Sequence, residues 1–184
     1  MKILKSNDQE FERICREHRD LRIEQSKHGD ITVMPGNGGT NGQRIFHLVG
    51  QFGEWNTKFK FGVGFGSSTL FILLNGAKRS PNLSSVKTER WNALTKTQQN
   101  KFPPLCPDFV VELRSKTDSL KTLQAKMREY IENGAQLGWL IDPIKPKVHV
   151  YRPNAVAEVL DAPVEIPGEP LLPKFTLKLN DFWK

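Results

Sequence analysis

Apolar and polar positions change period several times along the 184 residues, and each change marks an element. From Asp8 to about Arg19, Phe11, Ile14 and Cys15 recur at helical spacing, with Ser6, Asn7 or Asp8 available as N-cap. This predicts a short amphipathic helix. Leu21 to Gln25 alternates, Lys27-His28-Gly29-Asp30 supplies turn residues and Ile31 to Met34 resumes, which predicts a β-hairpin with Leu21, Ile23, Ile31 and Val33 on its core face. A Gly-rich loop, Pro35 to Gly42, leads into a helix from about Gln43 to Lys58 carrying Ile45, Leu48, Val49, Phe52 and Trp55. The loop lacks the Gly-Lys-Ser/Thr ending of a P-loop and does not fit GxGxxG, so it reads as a plain turn into a helix.

Gly62 to Gly66 and Leu70 to Leu74 read as strand, turn and strand, closed by Asn75-Gly76. Lys78 to Val86 reads as one further strand, whose Pro81 favours its start or an edge. A helical turn from Glu89 to about Leu94 and a polar connection from Thr97 to Pro104 follow. Leu120, Leu123, Met127, Tyr130 and Ile131 then trace a helical stripe ending at Asn133-Gly134, a standard helix exit. Leu137 to Ile141 and Val148 to Tyr151 read as two strands about the Asp142-Pro143 turn. This order of elements predicts an α/β or α+β chain built as a single domain around a mixed sheet.

Within this pattern one segment carries chemistry. Cys106 to Ser115 reads as a buried strand in which Phe109, Val111 and Leu113 point one way while Asp108, Val110, Glu112 and Arg114 point the other. A carboxylate inside such a strand needs a partner, a metal or a task. Glu112 and Arg114 are about 7 Å apart along the strand and can converge on one phosphate, whereas Asp108 and Glu112, about 13 Å apart, cannot easily share one ion.

Composition narrows the classes. The net charge of +7 suits a polyanionic partner, with Lys and Arg spread along the chain so that any basic surface is assembled by folding. No run of about 18 apolar residues could span a bilayer, and the start, Met1 to Asp8, lacks the apolar stretch of a secretory signal. A cytoplasmic protein without membrane contact is the expectation. Cys15 and Cys106 lack metal or disulfide spacing and read as buried thiols. The histidines show neither HxxxH nor HExxH spacing and no serine sits in GxSxG, which leaves zinc hydrolysis and serine-nucleophile chemistry without support. Phe59, Phe61, Phe65 and Phe71 read as core rather than as a base-stacking platform.

Pro107 to Ser115, Lys126 to Tyr130, Asn133-Gly134-Ala135 and Gly138 to Pro143 resemble a large bacterial family of uncharacterised putative restriction endonucleases assigned to the PD-(D/E)XK nuclease fold. Asp20 to Glu24, Val33-Met34-Pro35, Arg79 to Asn82 and Leu172 to Leu177 extend the resemblance over most of the chain. It implies a restriction-endonuclease-like mixed sheet flanked by helices, and a DNA endonuclease using Mg²⁺ or Mn²⁺ held by acidic residues. Glu112 matches the family's metal-binding glutamate; a salt bridge with Arg114 or a neighbour is the structural alternative. Lys126 matches a family lysine on the following helix that replaces the one usually found two residues after the glutamate, against the alternative of a solvated lysine. Glu24 matches a family acidic residue that would supply a further ligand or hold Lys126, or form an ordinary hairpin ion pair.

One position departs from the family. Where the family carries Pro-Asp, this chain has Pro81-Asn82, so the matching metal ligand is a neutral amide, and the site loses one negative charge. The alternative is therefore a catalytically degenerate member that binds nucleic acid or a protein partner without cutting. Arg114 occupies the usual lysine's place and, always charged, suits a phosphate clamp rather than a base. Asp108 reads as a ligand of backbone amides. Cutting both strands of a duplex would favour a two-fold dimer, an expectation by analogy.

Overall fold

The computed structural model describes residues 5–184, so Met1 to Leu4 and the reading placed on them lie outside it. Helix α1 (Asp8–Glu17) starts where Asn7 accepts the Glu10 N–H and Glu10 returns a bond to the Asn7 N–H, a complete capping box. It packs Phe11 on the hairpin of β1 (Arg22–Gln25) and β2 (Ile31–Met34). Helix α2 (Gly39–Phe59) begins inside the Gly-rich segment, earlier than the apolar stripe alone predicts. Strands β3 (Gly62–Gly66), β4 (Phe71–Ile72), β5 (Lys78–Arg79) and β6 (Leu83–Lys87) follow, then the short helices α3 (Thr88–Asn92) and α4 (Lys96–Asn100). Strand β7 (Phe109–Leu113), helix α5 (Leu120–Glu132), β8 (Leu137–Asp142), β9 (Lys147–Tyr151), β10 (Glu158–Asp161), β11 (Glu165–Pro167) and β12 (Thr176–Lys178) complete the order.

The main sheet has six strands in the order β10-β9-β8-β7-β6-β3. Only β7 and β8 run parallel, and α5 is the crossover between them. A second sheet, β2-β1-β5-β4, is antiparallel throughout, and β11 pairs with β12. Side-chain alternation on β7 sorts the core into two layers. Phe109, Val111 and Leu113 pack with Leu48, Phe52 and Trp55 of α2 and with Trp139 and Phe175. On the opposite face Val110 packs with Leu123, Met127 and Tyr130 of α5 and with Phe71 and Leu140. The architecture is α+β, with a mixed central sheet between helices. No helix among the described residues is long and apolar enough to cross a membrane.

Four local readings change. Ile23 and Ile31 are buried, but Leu21 and Val33 are exposed, and the hairpin buries Glu24 and Gln25 in their place. The strand read from Lys78 to Val86 is broken at Ser80-Pro81-Asn82 into β5 and β6, which join different sheets. β3 and β4 are likewise divided between the two sheets rather than paired. The polar connection contains α4, started by a Thr95–Gln98 capping box. Of the cysteines Cys106 is buried and Cys15 only half-buried, both as free thiols. Phe71 is fully buried, Phe61 and Phe65 pack against the core and Phe59 stacks on Trp55, which places all four in packing roles.

A buried Glu–Lys–Glu cluster beside a basic cavity

Glu112 reaches the α5 face of the main sheet because it alternates with the inward apolar residues of β7. Above it, Lys126 and Tyr130 lie one helical turn apart on the same side of α5. The Lys126 ammonium is 2.8 Å from Glu112 Oε1, and the Tyr130 hydroxyl donates to the same oxygen at 3.0 Å. Glu24 arrives from the second sheet: its Oε1 accepts from Lys126 Nζ at 2.6 Å and from the Ser80 N–H at 2.8 Å. Arg79 reaches Glu24 at 3.5 Å and Glu129 at 2.6 Å. All three members of the central chain are buried: Glu24 is 3 % exposed, Glu112 4 % and Lys126 8 %. Lys126 is thus a bridge between two carboxylates rather than a solvated lysine, and Glu112 pairs with Lys126 rather than with Arg114.

Electrostatics divides the two carboxylates. For both, burial is the largest influence and pushes the pKa up. At Glu24 it is outweighed by Lys126, by Arg79 and by the hydrogen bonds from Lys126 and Ser80, so the pKa lies below its ordinary 4.5. At Glu112 burial, reinforced by the like charge of Glu24, prevails over Lys126 and Tyr130, and the pKa is raised. Burial alone would lower Lys126, but Glu112 and Glu24 together hold it above its ordinary 10.5, which keeps it an ammonium at neutral pH. In this conformation Lys126 is a fixed positive charge, not a base.

A pH dependence of stability follows with a defined sign. Because the folded pKa of Glu24 is depressed, its contribution is fully present above about 4.5 and is lost as the pH falls through the folded value. The stability difference between wild type and Glu24→Gln, measured by urea unfolding, should shrink on acidification below that range. A constant difference from pH 7 to pH 3 would refute it.

Asn82 follows the Pro81 break, and its Oδ1 accepts the Leu113 N–H at 2.8 Å across the β6–β7 pair. Its Nδ2 donates to no described residue. Asn82 and Glu112 together line a cavity of about 730 Å³ whose wall also carries Arg22, Arg44, Arg114 and Lys116. The hydrogen bond from Tyr130 and the closest approach of Lys126 both fall on Glu112 Oε1. Glu24 and Lys126 instead line a second cavity, with Arg79, Glu129 and Glu132. Glu24, Lys126 and Glu112 therefore form one bonded chain but face two spaces, with Glu112, like Asn82, on the basic side.

Arg114 sits on the basic side too, its Nη1 held by Asp142 at 2.7 Å and its Nε by the Asp118 carbonyl at 3.2 Å. Asp108 is structural, as expected: it accepts the Lys87 N–H at 2.8 Å and pairs with Arg90 at 3.0 Å. Tyr130 and Arg79 belong to the cluster although the sequence marks them only as a core position and a strand residue. Asp142, read as a turn residue, is the anchor of Arg114. Arg22 gave no sequence signal beyond lying two residues before Glu24.

The mixed central sheet between helices defines the fold class. In overall shape the chain is similar to the crystal structure of a protein described as a putative nuclease belonging to DUF820 from Anabaena variabilis, with a TM-score of 0.74, 21% identity, and 88% of this chain and 89% of that one covered. A family model described as "Putative restriction endonuclease", Uma2, matches residues 8–180, and the chain belongs to that family. No curated protein matches it.

Proposed function

We propose that the chain is a divalent-metal-dependent endonuclease of the PD-(D/E)XK type that hydrolyses phosphodiester bonds in DNA. The observation that carries this reading is the division of labour at Glu112. Its Oε1 is fixed by Lys126 and Tyr130, and the residue lines a cavity walled by arginines.

Among the described residues no group of three His, Cys, Asp or Glu side chains could hold a metal ion. The donors that fit are Glu112 Oε2 and the remaining lone pair of Asn82 Oδ1. That sparse set suits Mg²⁺ or Mn²⁺, which take one or two carboxylates and complete their shell with water and substrate phosphate. When bound, such an ion polarises a phosphate and lowers the pKa of its water. The chain's own residues have simpler roles. Lys126 orients Glu112 and favours its anionic form against the effect of burial, Glu24 with Arg79 keeps Lys126 in place, and Arg114 presents a fixed cation to the phosphodiester. The test is nicking of supercoiled DNA with Mg²⁺ or Mn²⁺. Wild type should nick, and Glu112→Gln, nearly isosteric, should fall to background without losing stability. Equal cleavage by the variant would exclude Glu112 as ligand.

One observation favours a second reading, a member that binds DNA without cutting. Asn82 Oδ1 is already committed to the Leu113 N–H. Metal-independent DNA binding with no cleavage by wild type would select it.

A further inference from the structure

Arg22 and Glu24, two residues apart on β1, share a face of the strand. Glu24 turns to Lys126, whereas Arg22 Nη2 donates to the Ser80 carbonyl at 3.2 Å, beside the segment that carries Asn82. Arg44 Nη2 donates to the Lys184 backbone oxygen at 2.6 Å, whereas Arg22 has no described Asp or Glu carboxylate within the 4.0 Å of an ion pair. The Nε of each is buried without a hydrogen-bond partner, yet both residues line the cavity of Glu112 and Asn82. A half-buried guanidinium with neither counter-charge nor full hydrogen bonding is costly, and an oxyanion relieves both deficits at once.

Asn82 points to the same ligand independently. It is 7 % exposed, its oxygen is held by Leu113, and its Nδ2, which is not among the fully buried unpartnered atoms, donates to no described residue. An aspartate here would offer Arg22 a nearby carboxylate; the amide offers a second donor. The wall continues with the start of α2, whose N-cap Gly38 makes no side-chain cap and whose first turn holds no acidic residue, so its N–H groups add positive potential. Two anions face the same cavity. Glu112 is opposed by Lys126 at 2.8 Å, and Asp118 Oδ2 is occupied by the Ser115 N–H and hydroxyl at 2.8 and 2.7 Å.

We propose that this cavity takes a phosphate group of a nucleic-acid strand directly, without a metal ion, on Arg22 and the Nδ2 of Asn82. The identity of the strand rests on the nuclease reading; the anion site does not. The phosphate is seated first and then helps complete the coordination that Glu112 and Asn82 alone leave sparse.

The test is made in EDTA. Inorganic phosphate is titrated into the whole chain by ³¹P NMR, and binding of a fluorescent DNA oligonucleotide is measured with and without phosphate. Saturable phosphate binding that competes with the oligonucleotide is expected. Arg22→Gln and Asn82→Asp should each weaken phosphate at least tenfold, while Lys101→Gln, on the surface after α4, should leave it unchanged. If Arg22→Gln lowers the thermal midpoint, Arg22→Lys, which keeps the charge and loses the fork, is read instead. No saturable binding by wild type, or binding that both substitutions leave intact, overturns the proposal, and phosphate that fails to displace DNA overturns its source. Cleavage plays no part in this readout. An inactive protein that binds phosphate as described would remove the nuclease reading and keep the anion site.

Discussion

Lys126→Met is expected to cost the fold about 3–5 kcal/mol at pH 7, the range for removing one member of a buried ion cluster. Among the described residues Lys126 is the only cation shared by Glu24 and Glu112, at 2.6 and 2.8 Å. Without it two buried carboxylates face each other, with Arg79 left to Glu24 alone at 3.5 Å. Glu112, whose pKa is already raised, should respond by taking up a proton. The loss should therefore be smaller in acid than at neutrality, and Lys126→Met combined with Glu112→Gln should recover a large part of it. Urea unfolding of the two variants between pH 5 and pH 8 measures both effects. A single-variant cost below about 1 kcal/mol, typical of exposed pairs, would mean that the bridge is not formed in solution.

Asn82→Asp should act in the opposite sense, as a gain. The aspartate is isosteric and retains an oxygen for the Leu113 N–H, so the β6–β7 connection survives. It adds one negative charge to the wall that also carries Glu112 and turns a sparse site into a pair of carboxylates. A rise in Mn²⁺ affinity of tenfold or more is expected, corresponding to at least about 1.4 kcal/mol. Isothermal titration without DNA reads this directly, and nicking at limiting metal should rise with it. Unchanged affinity and unchanged cleavage would mean that the cavity beside Asn82 is not the metal position. The same substitution is predicted to weaken metal-free phosphate, and two shifts of opposite sign from one atom exchange are difficult to produce by a general disturbance of the fold.

The sequence signals that succeeded are local ones. The alternation of Phe109, Val111 and Leu113 locates β7 and its two faces, and the stripe through Leu123, Met127 and Tyr130 locates α5. Both elements bury a continuous face in the main core, so period and environment agree. The hairpin failed in part because its interior is polar: Glu24 and Gln25 are buried by partners distant in sequence, Lys126 and Lys78, while Leu21 and Val33 are left outside. Pro81 reads in the sequence as favouring a strand start or an edge, not as the point at which the chain leaves one sheet for another. The Thr95–Gln98 capping box outweighs the polarity of the segment that follows it.

The site divides along the same line. The family resemblance singles out Glu24, Asn82, Glu112 and Lys126, and the structure joins three of them through one ammonium. Which cavity each faces depends on how two sheets are placed, and nothing in the local pattern encodes that. Arg22 is the clearest case. The role proposed for it comes from the absence, among the described residues, of a carboxylate near it in space, and an absence leaves no motif.

Glu24 belongs to the small sheet and Glu112 to the large one, with Lys126 between them, and this has a consequence for the order in which the molecule matures during folding. A chain in which β7, α5 and β8 have already assembled holds a lysine with one carboxylate and no Arg79–Glu24 brace. The Glu24–Lys126–Glu112 bridge is complete only after the hairpin sheet docks. Recovery of the proposed nicking activity during refolding should then lag behind recovery of the central β-structure, so that function would report the docking of one sheet on the other.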